Sequence, residues 1–297
     1  LLWGSDSDPA QRNIFGLMQK YPDLARDGIR LRKYGQSIIE WLGGKCQFIE
    51  LGVSGFRTYS PIWNADGKAI FYGVEGTSRK PEDRQKLGVF RFDLATKKTS
   101  PVMPGTGISD IRLVPTGNVL AACGQRELFV ITKPDKPSPN SQLIMSISKG
   151  KGSILAAAWG PELWLYVTVD DQIPVDARRS YNRSRIARIH ATGRDLSASW
   201  AADMAYCFRY ACPSPDGKEM LYSRFRLDGK DPVILAKNLA SGAVRTVAAQ
   251  AMKPVRFEPR QGRLYYIYQG DLHLRDLKSG TDLVLVSSVE NADFTEK

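Results

Sequence analysis

A short apolar strand that ends in a turn of the pattern Trp/Phe-x-Pro-Asp-Gly recurs six times along this chain, at intervals of about 45 to 55 residues. The clearest copies are Trp63-Asn64-Ala65-Asp66-Gly67 and Pro213-Ser214-Pro215-Asp216-Gly217, and weaker copies begin at Leu113, Trp159, Phe257 and Phe294. Each of the first five copies is followed by a run rich in aromatic and β-branched residues, which predicts a strand. The chain is therefore expected to be built from repeated β units.

A third and a fourth strand follow in each unit. In the clearest example Phe90, Phe92 and Leu94 alternate with Arg91 and Asp93, which is typical of a half-buried strand. A polar turn comes next, at 95–98 in this unit and at 191–194, 240–242 and 278–280 in later units. Four antiparallel strands per repeat predict the blade of a β-propeller, since one blade cannot bury both faces of its sheet alone. A β-sandwich or barrel with coincidental Asp-Gly turns is the alternative.

The two ends of the chain complement each other. Residues 289–297 resemble a first strand without its Asp-Gly turn, and residues 27–52 supply candidate second, third and fourth strands. Pairing between them would remove an open sheet edge. We therefore predict an all-β, six-bladed β-propeller with four-stranded antiparallel blades, closed by the pairing of N- and C-terminal strands. Blade one would combine 27–52 with 289–297, and blades two to six would span 56–104, 107–149, 152–201, 205–249 and 252–287.

Residues 1–26 form an N-terminal extension with a predicted short helix at about 9–21. Asp8 can cap this helix and Pro9 suits its first position, while apolar residues at helical spacing follow, namely Ile14, Leu17, Met18 and Tyr21. The helix could cover the propeller or serve as a detachable arm that binds a partner. Because the chain begins Leu1-Leu2-Trp3 without methionine, we expect a processed or trimmed form, from which a signal peptide could have been removed.

The repeated turns resemble those of the TolB-like propellers, a family whose blades carry related motifs. The matching residues are Pro215-Asp216-Gly217-Lys218, Asn238-Leu239-Ala240-Ser241-Gly242 and Asp276-Leu277-Lys278-Ser279-Gly280. The resemblance covers roughly residues 27–297 and weakens in blades three and four, where Thr116 and Glu162 replace the turn aspartate. It implies an extracytoplasmic, periplasmic protein that acts as one component of a bacterial cell-envelope assembly or of a transport or secretion complex.

Composition is that of a folded chain without an evident membrane span. Of 297 residues, 42% are hydrophobic, and no apolar run approaches the ~20 residues that a spanning helix needs. The chain has four cysteines, Cys46, Cys123, Cys207 and Cys212. None of them form the C-x-x-C spacing that is typical of zinc or redox sites. If Cys207 and Cys212 share one strand, their odd separation predicts opposite faces and a distance of about 16 Å, beyond the span of a disulfide.

Groups suited to catalysis are few. The two histidines, His190 and His273, lie far apart in sequence and look like blade-surface residues, and two distant histidines do not make a multi-histidine metal site. No G-x-S-x-G nucleophile motif is present. Asp110, Asp203 and Asp293 are the carboxylates closest to predicted first strands, and they leave open a hydrolase or lyase with a calcium ion in the central channel.

A net charge of +11 favours an anionic partner. Two long loops between second and third strands, Glu75–Leu87 and Asp170–Asn182, should project from one face, and both mix acidic and basic residues. Mixed charge suits protein recognition better than nucleic-acid binding. Basic residues continue past the second loop, at Arg185, Arg188 and Arg194, and 152–217 contains no lysine, a composition compatible with carboxylate or phosphate groups on a partner.

The sequence therefore predicts a non-enzymatic scaffold that binds protein partners, without a cofactor. Its predicted partner-binding residues are Arg79, Lys80, Arg84, Arg178, Arg179, Tyr181 and Arg183. Besides the calcium-dependent hydrolase or lyase, a further alternative is a propeller that binds a glycan or an anionic lipid. Such binding would be salt-sensitive.

Overall fold

A computed structural model describes residues 29–33, 37–42, 45–51, 56–64, 66–76, 80–114, 116–174, 180–258, 260–287 and 291–294. The described secondary structure is almost entirely β, with short 3-10 helices at Pro81–Lys86 and Pro161–Leu163. The predicted helix at 9–21 lies outside the described residues. Within the described part of the chain, no helix has the length and apolar character needed to cross a membrane.

The strands follow one another as antiparallel hairpins. The first three are β1 (Ile29–Lys33), β2 (Ser37–Leu42) and β3 (Lys45–Glu50). Blade two contains β4 (Arg57–Trp63), β5 (Ala69–Glu75), β6 (Gly88–Asp93) and β7 (Thr99–Pro104). Blade three contains β8 (Asp110–Leu113), β9 (Val119–Cys123), β10 (Glu127–Thr132) and β11 (Asn140–Ser146). Blade four contains β12 (Gly152–Trp159), β13 (Trp164–Pro174), β14 (Ser180–His190) and β15 (Ser197–Ala201).

Blade five contains β16 (Tyr206–Pro213), β17 (Glu219–Arg226), β18 (Val233–Asn238) and β19 (Val244–Ala249), and blade six contains β20 (Pro254–Glu258), β21 (Arg263–Tyr268), β22 (Asp271–Asp276) and β23 (Asp282–Val286). In each of these blades, strands that are adjacent in sequence are adjacent in the sheet. The prediction of an all-β propeller with four-stranded antiparallel blades is confirmed.

The structure shows five blades made of consecutive strands, against the six predicted. A further four-stranded sheet pairs β24 (Asn291–Phe294) with β1, β2 and β3, and Ile29 faces Phe294 in its register. For this sheet the structure describes the backbone pairing. The pairing of β24 with β1 joins opposite ends of the chain, so no hairpin turn fixes it locally, whereas turns fix every pairing within blades two to six.

The hydrophobic core lies between the blades. Residues with odd numbers on β13 and β14, such as Val167 and Ile189, pack against Leu128 and Val130 of blade three. Residues with even numbers on the same strands, such as Tyr166, pack against blade five. Since side chains alternate between the two faces of a strand, every central blade buries both faces against its neighbours.

The Asp-Gly turns hold the first and second strands together by local hydrogen bonds. Asp66 Oδ1 accepts a hydrogen bond from the backbone N–H of Lys68 at 2.9 Å, and Asn64 Oδ1 accepts one from that of Ala69 at 2.9 Å. Gly67 has a φ of 70°, a left-handed conformation that favours glycine. The motif that identified the repeat therefore fixes the strand register.

Innermost strands carry β-bulges that change which face a residue occupies. The pairing of β16 shifts between Arg209 and Cys212, where one extra residue is accommodated, and Tyr210 adopts a φ of 60°. Cys207 faces Phe225 and Cys212 faces Leu221, so the extra residue places both thiols on the same face of the blade. The predicted opposite orientation is wrong because the bulge adds one residue to the alternation.

Replacement of Gly73 by alanine should destabilise the contact between blades two and three. A Cβ atom at Gly73 would lie 2.7 Å from the backbone oxygen of Ile108, and the Ile108 backbone is held by a hydrogen bond from its N–H to the oxygen of Val74. Such overpacking costs about 1–3 kcal/mol, measurable as a lower free energy of unfolding in urea. Gly107→Ala is the control, because its nearest neighbour would be a side-chain carbon of Glu75 at 3.4 Å, and an equal loss in both variants would contradict the prediction.

Cys123, Cys207 and Cys212 are free and buried. Burial raises the pKa of the Cys212 thiol to about 12, a rise that the nearby Arg112 charge opposes, and burial followed by the Asp110 charge raises the pKa of Cys123 well above its usual value. We expect the Cys123 and Cys212 thiols to resist Ellman's reagent in the folded protein at pH 8 and to react in denaturant, since the thiolate is the reactive form. Rapid labelling of Cys212 in the folded state, identified by mass spectrometry, would contradict this.

Candidate partner-binding site on blade four

The β13–β14 hairpin of blade four is longer than its counterparts. Its strands have 11 residues each and pair from Trp164 and His190 to Pro174 and Ser180, whereas the second and third strands of the other consecutive-strand blades have 5 to 8 residues. The ladder between β12 and β13 ends where Gly152 faces Asp171. Beyond Asp171, the two strands of the hairpin therefore extend past the rest of their sheet.

Two of the predicted partner-binding residues lie on this hairpin. Tyr181 faces Ile173 and is half-buried. Arg183 faces Asp171, with its Nη2 at 3.9 Å from Asp171 Oδ2, and its Nη1 contacts the sulfur of Met204. Met204, in the segment that leads to blade five, is 69% exposed. The structure thus brings Tyr181 and Arg183 together on one strand, beside an exposed apolar side chain.

The other predicted residues are less fully described. Lys80 and Arg84 are exposed at the short 3-10 helix Pro81–Lys86 in the long loop of blade two. Arg79, Arg178 and Arg179 lie outside the described residues. Because successive hairpin connections alternate between the two ends of a blade, the β5–β6 and β13–β14 connections lie on the same face of the propeller.

The base of the hairpin is fastened by two ion pairs. Arg185 binds Asp171 through two hydrogen bonds, with Nε at 2.6 Å and Nη2 at 3.1 Å from the carboxylate, and also contacts the backbone oxygen of Ala198. Planar pairing of this kind is geometrically specific. The side chains of Asp171 and Arg185 are only 19% and 18% exposed, so solvent screens this pair less than a surface pair.

The second ion pair connects the hairpin to blade five. Asp170 accepts two hydrogen bonds from Arg209 Nη2, at 3.0 and 2.9 Å, while Arg209 Nε donates to Ser184 Oγ at 2.5 Å and Ser184 donates to Asp170. Asp170 is 8% exposed and Ser184 1%. Sequence reasoning placed Asp170 in the loop but missed Arg209, because nothing in the sequence aligns the innermost strand of one blade with the hairpin of the preceding blade.

Asp110, a predicted channel carboxylate, is a structural acceptor shared by three blades. It lies on β8 and is 4% exposed. Its Oδ1 accepts a hydrogen bond from Ser60 Oγ on β4 at 2.8 Å, and its Oδ2 accepts one from the backbone N–H of Ala157 on β12 at 3.1 Å. Arg112 Nε donates to Oδ2 at 3.3 Å. The carboxylate therefore ties together the innermost strands of blades two, three and four.

The remaining candidates lie apart from Asp110. Asp203 is exposed and accepts a hydrogen bond from the backbone N–H of Ala205, and the side chain of Asp293 lies outside the described residues. His190 contacts Thr192 Oγ1 and the backbone oxygen of Glu162 in blade four, and His273 stacks on Tyr266 in blade six. Among the side chains that the structure describes, no group of three or more His, Cys, Asp or Glu residues converges.

Comparison with known proteins identifies the fold of this chain and no family. No family model matches the chain. A stretch of 52 residues is 50% identical to one subunit of the F420-non-reducing hydrogenase vhu of Methanocaldococcus jannaschii, covering 18% of this chain and 12% of that protein. A stretch of 45 residues is 47% identical to the beta subunit of the NAD-reducing hydrogenase HoxS of Cupriavidus necator, covering 15% of this chain and 9% of that protein. The chain thus spans a small fraction of the curated relatives it matches.

Solved structures resemble nearly the whole chain at low sequence identity. A chain of a nidogen/laminin complex matches with a TM-score of 0.62 and 11% identity, covering 91% of this chain and 98% of its own. TolB from Acinetobacter baumannii matches with a TM-score of 0.59 and 15% identity, covering 91% and 66%. The periplasmic gluconolactonase of Pseudomonas aeruginosa matches with a TM-score of 0.50 and 14% identity, covering 91% and 99%. These similarities show the propeller fold, which both binding proteins and an enzyme share.

Removal of the Asp110 carboxylate should destabilise the propeller. Asp110→Ala leaves the buried backbone N–H of Ala157 without its acceptor and leaves Ser60 Oγ with only the backbone oxygen of Ser109, at 3.4 Å. Loss of one partner from such a network costs about 2–4 kcal/mol. Urea unfolding measures this loss. Asp203→Ala removes an exposed carboxylate from a similar connection and should cost about 0.5 kcal/mol. Equal stabilities of the two variants would show that Asp110 does not hold the three blades together.

Proposed function

We propose that this chain is a non-enzymatic scaffold that binds a protein partner through one face of its propeller. The observation that carries this proposal is the blade-four hairpin, which extends beyond its sheet past Asp171 and carries the half-buried Tyr181 and Arg183, whose side chain is 16% exposed. The proposed partner-binding residues are Arg79, Lys80, Arg84, Arg178, Arg179, Tyr181 and Arg183, of which the structure describes Lys80, Arg84, Tyr181 and Arg183.

The hairpin suits recognition because it is held in place before a partner binds. At the base of the hairpin, Arg185 forms an ion pair with Asp171 within blade four. Arg209 of blade five forms an ion pair with Asp170. A projecting element with a fixed base loses little conformational freedom on association, which increases affinity. Tyrosine and arginine are the residue types that most often dominate binding energy at protein interfaces.

Charge supports an acidic partner surface. The chain carries a net charge of +11, and complementary charge accelerates association and selects among partners. Lys80 and Arg84 are exposed on the same face as the hairpin. The partner should therefore present carboxylates toward blades two and four.

Location and assembly are proposed from the resemblance to TolB-like propellers. We place the protein outside the cytoplasm, in the periplasm, as part of an envelope complex. Propellers of the same fold include a chain of a nidogen/laminin complex and a periplasmic gluconolactonase. We further propose that the sheet of β24, β1, β2 and β3 acts as a sixth blade that closes the ring, since β24 also contacts β20 of blade six.

No cofactor is part of this proposal. Asp110, the carboxylate best placed for a channel metal, already accepts hydrogen bonds from Ser60 and Ala157. A rise in Tm on addition of calcium that Asp110→Ala abolishes would instead favour the calcium-dependent hydrolase or lyase.

Affinity capture with mild crosslinking, from membrane and soluble fractions of the native cell, tests the scaffold proposal. The tagged wild-type chain should retain a stoichiometric partner, and Tyr181→Ala combined with Arg183→Glu should reduce its recovery at least tenfold, as expected for interface residues that dominate binding. Lys97→Glu is the control, because Lys97 lies in the β6–β7 turn at the opposite end of a blade.

Retention of the partner by the double variant would show that this hairpin is not the binding site. Absence of a partner in every fraction would oppose the scaffold function itself. Circular dichroism and Tm of the variants must match those of the wild type for either outcome to be interpreted.

A further inference from the structure

The boundary between blades four and five holds two cations that face aromatic rings. Arg188 on β14 places its guanidinium carbon 4.2 Å from the centroid of the Trp164 ring. Lys237 on β18 places its Nζ 4.3 Å from the centroid of the Trp200 ring. All four side chains are half-buried. Tyr166 connects the two pairs, because it faces Arg188 across the ladder and its ring meets Trp200 edge-on at 4.7 Å.

Within the described part of the chain, Arg188 and Lys237 lack the carboxylate partner that several other cations of the propeller have, and Arg224 over the ring of Tyr206 resembles them in this respect. Arg209 binds Asp170, Arg185 binds Asp171 and Arg256 binds Glu258. Among the described residues, no carboxylate forms an ion pair with Arg188 or Lys237. Lys237 Nζ instead donates to the backbone oxygen of Trp200 at 3.2 Å, and Arg188 Nε is buried without an acceptor in the described structure.

An uncompensated pair of this kind is unfavourable for the protein alone. Tyr166 faces Arg188 across the ladder and contacts Trp200, whose ring and backbone oxygen contact Lys237, so both cations belong to one aromatic cluster. Burial, followed by the charge of Arg188, lowers the pKa of Lys237, which agrees with this arrangement. Attraction to the tryptophan rings offsets part of this cost. A bound anion would offset more of it, since hydrogen bonds between charged groups are the stronger kind.

We propose that Arg188 and Lys237 form an anion-binding site that accepts a phosphate group, free or as a monoester, at the boundary of blades four and five. Two neighbouring cations match a group that carries nearly two negative charges at neutral pH, better than a single carboxylate does. Arg188 supplies planar N–H donors and Lys237 a point charge, a combination that recurs in phosphate recognition.

This site is separate from the blade-four hairpin tip. Arg188 faces Tyr166, near the end of the ladder where Trp164 faces His190. The other end of the ladder is the pair Pro174 and Ser180. The inference therefore goes beyond the proposed scaffold function and does not rest on it. Loss of phosphate binding and loss of partner capture can be observed independently.

Titration of the full chain with inorganic phosphate at constant ionic strength, followed by calorimetry and tryptophan fluorescence, tests the site directly. Arg188→Gln and Lys237→Met should each weaken phosphate binding about tenfold or more, as expected for the loss of one charged hydrogen bond. Lys149→Met removes the same charge from an exposed position in blade three and should leave binding unchanged. Equal affinities of all four proteins would overturn the proposal.

Thermal unfolding separates a ligand site from a purely structural role. Lys237→Met keeps a long apolar side chain against Trp200 but removes the repulsion from Arg188. If the charge serves a ligand, the variant should melt at the same or a higher Tm than the wild type without phosphate, and should lose the rise in Tm that phosphate produces. A lower Tm for the variant, together with no phosphate effect on the wild type, would identify a structural cation–aromatic contact and overturn the proposal.

Three further probes identify the source of the phosphate group. Glycerol 3-phosphate that binds as well as inorganic phosphate supports a soluble monoester. Binding to vesicles that contain phosphatidic acid, absent from neutral vesicles and lost in Arg188→Gln, supports a lipid headgroup. Tighter binding of penta-glutamate than of phosphate would overturn the phosphate assignment in favour of carboxylates.

Discussion

Each central sheet of this protein is apolar on both faces, and the rest of the architecture depends on that fact. In blade four, Val167 and Ile189 contact blade three while Tyr166 and Ile186 contact blade five. Such a sheet has no side to expose to water, so it is stable only between two others, and the arrangement must continue around a ring. Burial of the two faces supplies the main driving force for folding.

Two buried carboxylates at these boundaries have hydrogen-bond partners from more than one blade. Asp110 connects three innermost strands, and Asp170 joins Ser184 and Arg209 across two blades. Each of these carboxylates has its hydrogen bonds satisfied within the protein, which avoids the cost of a buried unpaired charge. Arg188 and Lys237 lack such a carboxylate among the described residues and contact tryptophan rings instead, and at this boundary we propose that an anion binds.

Fold and function separate clearly in this chain. Propellers with TM-scores of 0.50 to 0.62 to it occur in a nidogen/laminin complex, in TolB and in a gluconolactonase, so the ring of blades by itself does not select binding or catalysis. What varies between such proteins is the length and chemistry of the connections. Here the β13–β14 hairpin departs from the blade repeat because it extends past its sheet, and its base at Asp171 is fixed by Arg185.

The blade repeat could be predicted from the sequence because its signals are local. The Asp66-Gly67 turn and the alternation of Phe90, Phe92 and Leu94 are enough to specify hairpins and four-stranded blades, and the structure contains both. The sequence also indicated Tyr181 and Arg183 as candidates, although it could not show that they lie on a strand that extends past its sheet.

Other features were determined by contacts between parts of the chain that are distant in sequence. They include the common face of Cys207 and Cys212, the hydrogen bonds of Asp110 and the aromatic cluster that Arg188 and Lys237 share. These features depend on a bulge in one strand and on packing between different blades. A periodic sequence pattern fixes neither the extra residue of a bulge nor the partner across a blade boundary.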